Sequence, residues 1–220
     1  MKIAAYVPIK LRNTRVPGKN VKQLSDGTPL CSLLFNTLKD VKCIENKYCF
    51  CSDEAIKEYL PDGIEFLKRD KSLDTDTTQC SDIIRAFVER INPDIVVLTH
   101  VTSPFVSAKT IELCVEKVKS GEYDSAFAVA KEQEFLWKDN TPLNFDPALA
   151  PRSQDLPLIY KETNGVFVFT KDIFLKTNRR VGLKPFLCEV GYPETIDINY
   201  PEDFIFADAT YSYLKGEKKF

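Results

Sequence analysis

The chain has 220 residues, 44% of them hydrophobic and 28% charged, with a net charge of −2. That length suits one α/β domain with a real core, and the near-neutral balance offers no global field for nucleic acid. No stretch is apolar enough to span a bilayer and no signal-peptide run opens the chain, while the seven cysteines lack any Cys-x-x-Cys pair, so a cytoplasmic protein with buried free thiols is expected.

In chain order, apolar runs at Ile3–Val7, Tyr48–Cys51, Ile64–Leu67, Ile95–Leu98 and Ser125–Val129 read as strands. Between them, Leu30–Leu38, Asp53–Tyr59, Ser81–Ile91 and Ala108–Val118 carry the i, i+3, i+4 spacing of amphipathic helices, with Ser107 placed to cap the last. Strand–helix alternation with near-continuous apolar strands predicts a single Rossmann-like, three-layer α/β domain over residues 1–220, its sheet mostly parallel and covered on both faces. The alternation breaks after about residue 130. Residues 137–157 hold four prolines and little periodicity, so a region of about 135–160 is expected to leave the domain as an excursion. Sheet pattern returns at Val166–Phe169 and Phe186–Val190, and a closing helix follows from Pro201, with Glu202 and Asp203 at its positive end.

The loop after the first strand is the most informative stretch. Lys10, Arg12, Arg15 and Lys19 fall within ten residues beside Pro17 and Gly18, where an open α/β sheet binds its ligand. Four cations so placed suit a polyphosphate, although a solvated turn is the competing reading. Neither Gly-x4-Gly-Lys-Ser/Thr nor Gly-x-Gly-x-x-Gly is present.

Four segments then recur in order. They are the loop Lys10–Asn20; Leu98-Thr-His-Val-Thr-Ser-Pro104; Pro151-Arg-Ser-Gln-Asp-Leu-Pro157 with Asn164-Gly-Val-Phe-Val168; and Ile196-Asp-Ile-Asn199 before Pro201-Glu-Asp-Phe204. Together, with Cys51-Ser-Asp53, they cover essentially the whole chain and resemble the acylneuraminate (CMP-sialic acid synthetase) cytidylyltransferase family. In the loop, Lys10 stands for the family's arginine and Pro17, Lys19 and Asn20 match, whereas Asn13-Thr14-Arg15 departs from Ser-Lys-Gly. The stretch Thr14-Arg-Val-Pro-Gly-Lys19 is closer to KDO cytidylyltransferases. At the fourth segment Asn199 replaces the family's second aspartate.

The resemblance implies a reaction in which an acceptor oxygen attacks the α-phosphorus of CTP, giving a CMP ester of a small acidic, nonulosonic sugar and pyrophosphate, with Mg2+ assisting. It implies that Lys10, Arg15 and Lys19 hold the triphosphate and stabilise the departing pyrophosphate, with Arg12, Asn13 and Asn20 beside them. Asp76, Thr102 and Ser103 fall at nucleotide positions; His100 (the only histidine), Arg152 and Asn164 fall at acceptor positions. Asp197 and Asn199 fall at the metal. A strand-end cap competes for Asp197, a structural hydrogen bond for His100, and a helix lead-in for Asp76. The excursion's Phe135, Trp137 and Phe145 suit a homodimer arm. CMP transfer to KDO or to a small phosphonate or phosphate, and a catalytically weakened nucleotide-binding relative, remain the alternatives.

Overall fold

Apolar strands without alternation need cover on both faces, and the computed structural model, which describes residues 1–13, 15–149 and 151–217, supplies it. The central sheet is built from β1 (Ile3–Ile9), β2 (Asn46–Cys51), β3 (Glu65–Lys68), β4 (Ile95–Thr99), β5 (Ser125–Glu132), β8 (Ile159–Thr170) and β9 (Pro185–Val190), in the order β3-β2-β1-β4-β8-β5-β9. Every neighbouring pair is parallel except the two that β8 makes. The sheet is therefore mostly parallel, as its apolar strands require. Two short strands, β6 (Trp137–Lys138) and β7 (Thr141–Pro142), pair as a separate hairpin.

Each face has its own core. Ala5, Val7 and Ile9 of β1 pack with Leu34 and Phe35 of α1 (Leu30–Asp40), Ile111 of α3 (Ala108–Lys119) and Phe204 of α5 (Pro201–Gly216). The intervening residues Ala4 and Tyr6 face the other way, toward Phe87 of α2 (Cys80–Ile91) and Phe174 of α4 (Lys171–Thr177). Tyr6 stacks on Phe87 with ring centroids 4.1 Å apart, and Phe127 stacks on Phe167 at 5.7 Å. Such pairs add to the hydrophobic term that burial of each ring supplies.

Three departures from the expected elements have simple causes. The helix expected at Asp53–Tyr59 is a 3-10 run over Glu54–Tyr59, because the Asp53 carboxylate accepts from the Ala55 amide and starts a tight turn. The strand expected at Val166–Phe169 is the far end of the twelve-residue β8, whose first half is too polar and exposed to show an apolar run. Helix α4 is only seven residues long, capped where Thr170 Oγ1 accepts from Ile173 N at 3.2 Å, too short for periodicity to mark it. Ser107 does cap α3, accepting from Thr110 N at 3.1 Å.

The excursion leaves the sheet after β5 and re-enters at β8. Phe145 meets Phe135 and Trp137 edge-on at 4.8 and 5.4 Å, yet Trp137, Leu143 and Leu149 keep more than half of their surface open. At the other end of the domain logic, the parallel strands all point their carboxyl ends to one edge. The loop after β1, the turn after β4 and an irregular stretch of β8 meet there, at the edge where such sheets place their sites.

Candidate active site

The loop that follows β1 is tied at both ends. Asn20 Nδ2 donates to the Lys10 carbonyl at 2.9 Å, so Asn20 orders the loop. Gly18 sits at φ 64°, a left-handed turn that a side chain would resist, and it delivers Lys19 inward. Lys19 is only 7% exposed; its ammonium donates to the Ile198 carbonyl at 2.5 Å. Burial and then the Arg15 charge pull its pKa down, while Asp197 and Asp203 oppose them. A solvated turn, the competing reading of this loop, does not hold for Lys19: the left-handed turn at Gly18 folds it under the loop.

The four cations split into two pairs. Lys10 and Arg12, with Asn13, line a cavity of about 860 Å³ that also borders Ser52, Asp74 and Asp76. Arg15 instead lies 5.8 Å from the centre of the Tyr200 ring, beside the segment that carries Asp197. Lys10 donates at 3.0 Å to both the Asp74 carbonyl and Asp76 Oδ1. The Asp76 side chain is mostly open to solvent, so this pairing contributes little and a polyphosphate can displace it. Asn13 Oδ1 is buried without a hydrogen-bond partner. An acceptor in need of a donor suits a sugar hydroxyl or a base amino group better than a phosphate. Thr14 lies outside the described residues.

Sequence reasoning missed the group that holds this side of the site together. Arg69, 2% exposed, follows β3. Its Nη2 donates to the Ile9 carbonyl at 3.0 Å and to Asp74 Oδ1, and its own amide bonds the Cys51 carbonyl, so it binds the ends of β1, β2 and β3 into one unit. Ser52 Oγ takes the other Asp74 oxygen. The Arg69 Nε is buried and unpartnered. An arginine directly after an apolar strand, with an acidic lead-in nearby, was the available signal.

The second half of the site forms where β4 ends. Pairing between β5 and β8 jumps from Phe127–Phe167 to Val129–Glu162, so residues 163–166 oppose Ala128 alone. This bulge puts Asn164 at φ 58° and brings Gly165 against Val106, where an added Cβ would lie 3.3 Å from the valine. The bulge aims Asn164 at the segment before α5. Asn164 Nδ2 donates to Asp197 Oδ2 at 3.1 Å, and Asn199 Nδ2 donates to the same oxygen at 2.8 Å. Ser103 Oγ donates to the Thr163 carbonyl at 2.9 Å and lies 3.5 Å from Asp197 Oδ1. Ile198 N bonds the Thr102 carbonyl at 2.7 Å. Thr102, Ser103, Asn164, Asp197, Asn199 and Lys19 are therefore gathered in one place.

His100 joins them through its Nδ1, 3.0 Å from the Asn164 carbonyl. A carbonyl only accepts, so Nδ1 carries the proton and Nε2 keeps its lone pair. Burial, with the Arg180 charge, pushes the imidazole down to about 4 against the raising influence of that carbonyl and Asp197. A neutral imidazole of this acidity orients an acceptor hydroxyl well but is a weak base. Arg152 is not brought here. Its side chain is 72% exposed on the excursion, and it forms a two-pronged pair with Asp155 at 2.7 and 3.0 Å.

The fit to a metal is specific. Among the described residues, no three His, Cys, Asp or Glu side chains gather as a metal cluster. Asp203 Oδ2 is committed to the amides of Asn199 and Tyr200 as the cap of α5. Among the described residues, Asp197 is thus the carboxylate that the β4–β8 side presents to the site, and Asn199 faces it as a donor through its amide nitrogen. One carboxylate fits magnesium, which takes few protein ligands and keeps substrate phosphates and waters.

Residues 4–197 match the cytidylyltransferase family, from the start of β1 to Asp197. Over 216 residues the chain is 27% identical to N-acylneuraminate cytidylyltransferase A of Danio rerio, covering 94% of this chain and 50% of that protein. It is 24% identical over 131 residues to 3-deoxy-manno-octulosonate cytidylyltransferase 2 of Hydrogenovibrio crunogenus, covering 59% of this chain and 52% of the relative. The chain therefore spans about half the length of these relatives. Its fold is similar to that of a CMP:2-keto-3-deoxy-manno-octonic acid synthetase solved in complex with CTP, with a TM-score of 0.71 at 11% identity, covering 97% of this chain and 99% of that one. With the family match running through nearly the whole sheet and ending on the carboxylate of the site, the chain belongs to the cytidylyltransferase family.

Proposed function

We propose that this protein transfers CMP from CTP to a hydroxyl of a small acidic sugar of the nonulosonic class, releasing pyrophosphate. One observation carries the reading. A cationic loop after β1 and a partly buried carboxylate, Asp197, meet at the carboxyl edge of the sheet in a chain of this family.

The residues suit nucleotidyl transfer, which is mostly positioning and charge neutralisation. Lys10 and Arg12 bind the triphosphate from the cavity side, and Arg15 and Lys19 from the Asp197 side, so negative charge building on the departing pyrophosphate meets fixed cations. Asn13 and the Asp74–Arg69 unit bound the nucleoside end, while Thr102 and Ser103 brace the Asp197 side, Ser103 with its buried hydroxyl on the Thr163 carbonyl and Thr102 with its carbonyl on the Ile198 amide. Asp197, with the substrate phosphates, would hold Mg2+, whose chemistry there would be charge neutralisation. His100 Nε2 accepts a hydrogen bond from the attacking hydroxyl and orients it. The excursion serves as a homodimer arm, with its open aromatics buried against a second copy and Arg152 carried toward that copy's acceptor.

Pyrophosphate release with CTP, ATP, GTP and UTP, each paired with N-acetylneuraminate and with 3-deoxy-manno-octulosonate, tests the reading. Turnover with CTP and N-acetylneuraminate supports it. Turnover with 3-deoxy-manno-octulosonate alone shifts the acceptor to the second reading, which the Hydrogenovibrio relative favours. No pyrophosphate from any pair overturns the transferase and leaves a nucleotide-binding relative.

A further inference from the structure

A second cavity, of about 460 Å³, opens between the first turn of α2 and the loop after α4. It is lined by Gln79, Cys80 and Ser81 on one side and by Asn178, Arg179 and Arg180 on the other, and the carboxylates beside it are engaged, Asp82 by the Gln79 amide, Asp124 by the amides of Leu183 and Lys184, and Glu162 by Arg180. A third arginine, Arg85, reaches it indirectly by donating to Asn178 Oδ1 at 2.8 Å.

Arg180 joins this cavity to the site above. Its guanidinium lies 3.7 Å from the centre of the Phe167 ring, a contact that fixes the plane of the fork. His100 meets the same ring edge-on at 6.4 Å. Arg180 Nη2 donates to Glu162 Oε2 at 3.0 Å and stands 3.5 Å from Asn164 Oδ1. The Glu162 side chain is nearly half exposed, so its hold on Arg180 is exchangeable. An exchangeable carboxylate on a rigid arginine marks a place where a ligand's own oxyanion fits. Beneath the cavity the Tyr6 hydroxyl is fully buried and unpartnered. It is near enough to the Cys80 thiol and the Arg180 guanidinium for both to influence its titration, after the dominant effect of burial.

We propose that this cavity seats an oxyanion of the acceptor, with Arg180 as the residue that binds it, so that the acceptor must carry a carboxylate or phosphoryl group on the side away from the triphosphate. This rests on the transferase reading and deepens it. It also gives the protomer a charge-recognising residue of its own, Arg180, beside the Arg152 that a second copy would bring.

The test compares Arg180→Met, which keeps the stem over Phe167, and Glu162→Gln with the wild type. Acceptor KM and CTP KM are measured separately with N-acetylneuraminate, 3-deoxy-manno-octulosonate and 2-hydroxyethylphosphonate. Removing a charge-assisted contact should raise acceptor KM roughly 10- to 100-fold with CTP KM unchanged. Glu162→Gln should leave acceptor KM equal or lower, because it frees Arg180. Turnover of the acids or of the phosphonate says which oxyanion is seated. An unchanged acceptor KM in Arg180→Met, or an equal rise in Glu162→Gln, overturns the assignment, the latter by marking the ion pair as structural. If the wild type releases no pyrophosphate with any probe, the transferase reading has failed, and calorimetric titration with sulfate tests the subsite alone. Binding lost in Arg180→Met supports it, and an isotherm independent of Arg180 overturns it.

Discussion

The two sides of the site are built from opposite materials. On the side of β1, β2 and β3, open charged side chains face the 860 Å³ cavity, and Lys10 is paired with an exposed surface carboxylate, Asp76. On the side of β4 and β8, neutral donors and backbone carbonyls lock one another: His100 to Asn164, Asn164 and Asn199 to Asp197, Ser103 to Thr163. The first arrangement tolerates replacement of its pairs by a ligand at little cost, since exposed ion pairs contribute little. The second is costly to disturb, because each buried donor or acceptor left alone carries a desolvation penalty. An exchangeable charged wall and a locked polar one thus call on different physics at one sheet edge.

The sharpest test of that division is Asp197→Asn. It keeps the size of the side chain but replaces the carboxylate of the β4–β8 side by an amide, which attracts a divalent cation far less. Metal-dependent pyrophosphate release should fall at least about 100-fold, with a melting temperature near that of the wild type. Chelation of Mg2+ by EDTA should silence the wild type and change nothing in the variant. A variant that keeps its rate and its magnesium requirement would make Asp197 a structural acceptor only.

Next comes the contrast between two lysines of one loop. Lys10→Ala and Lys19→Ala should each lower turnover on the order of 100-fold by removing a fixed cation. Only Lys19→Ala should also destabilise the fold, by about 1–3 kcal/mol, because it strips the donor from the buried Ile198 carbonyl. Urea melts separate the two. Equal melts would place both lysines on the open side of the site.

This contrast also shows how far the chain could be read before its fold was known. The alternating strands and helices and the position of the cationic loop were legible from periodicity and from one charged stretch, whereas residues 102, 103, 164, 197 and 199 could be placed at a common site only through the family resemblance. The direction of Lys19 was not legible, because it turns on one positive φ at Gly18. Arg69 and Arg180 were not either, since their roles depend on partners far along the chain: Ile9 for the one, Phe167 and Glu162 for the other. The bulge of β8 left no periodic trace in a half-polar strand, yet it sets the direction of Asn164 and so of His100 and Asp197.

His100 carries a pH prediction. Burial keeps the native imidazole neutral down to about pH 4, whereas the unfolded chain takes up a proton near its ordinary value of 6.5. Its contribution is therefore complete above about pH 6.5 and is lost as the pH falls toward 4. The loss amounts to on the order of 3 kcal/mol for a shift of that size. His100→Gln removes the titration and keeps a side chain that can donate to the Asn164 carbonyl. Denaturant melts of the two proteins between pH 7 and 4 should diverge as acidity rises, with the variant the more stable at pH 4. Parallel curves would mean that the imidazole is open to water in the folded protein.

Asn199→Asp gives the smallest effect and the finest distinction. The family resemblance places an aspartate here, so restoring it adds a hard anionic oxygen for magnesium. In this fold, however, the Asn199 amide nitrogen donates to Asp197 Oδ2 at 2.8 Å. A carboxylate in its place sets two negative oxygens against each other and removes a donor, which costs about 1–2 kcal/mol without metal. Part of that charge is answered by Lys19, close enough for Asp197 to influence its titration. The variant should thus melt lower than the wild type in EDTA and recover, or exceed it, in millimolar magnesium, since a ligand bound only by the folded state raises its stability. Turnover should hold within a few-fold while the magnesium needed for half-maximal rate falls. A variant equally stable with and without magnesium would show that the metal does not enter between these two side chains.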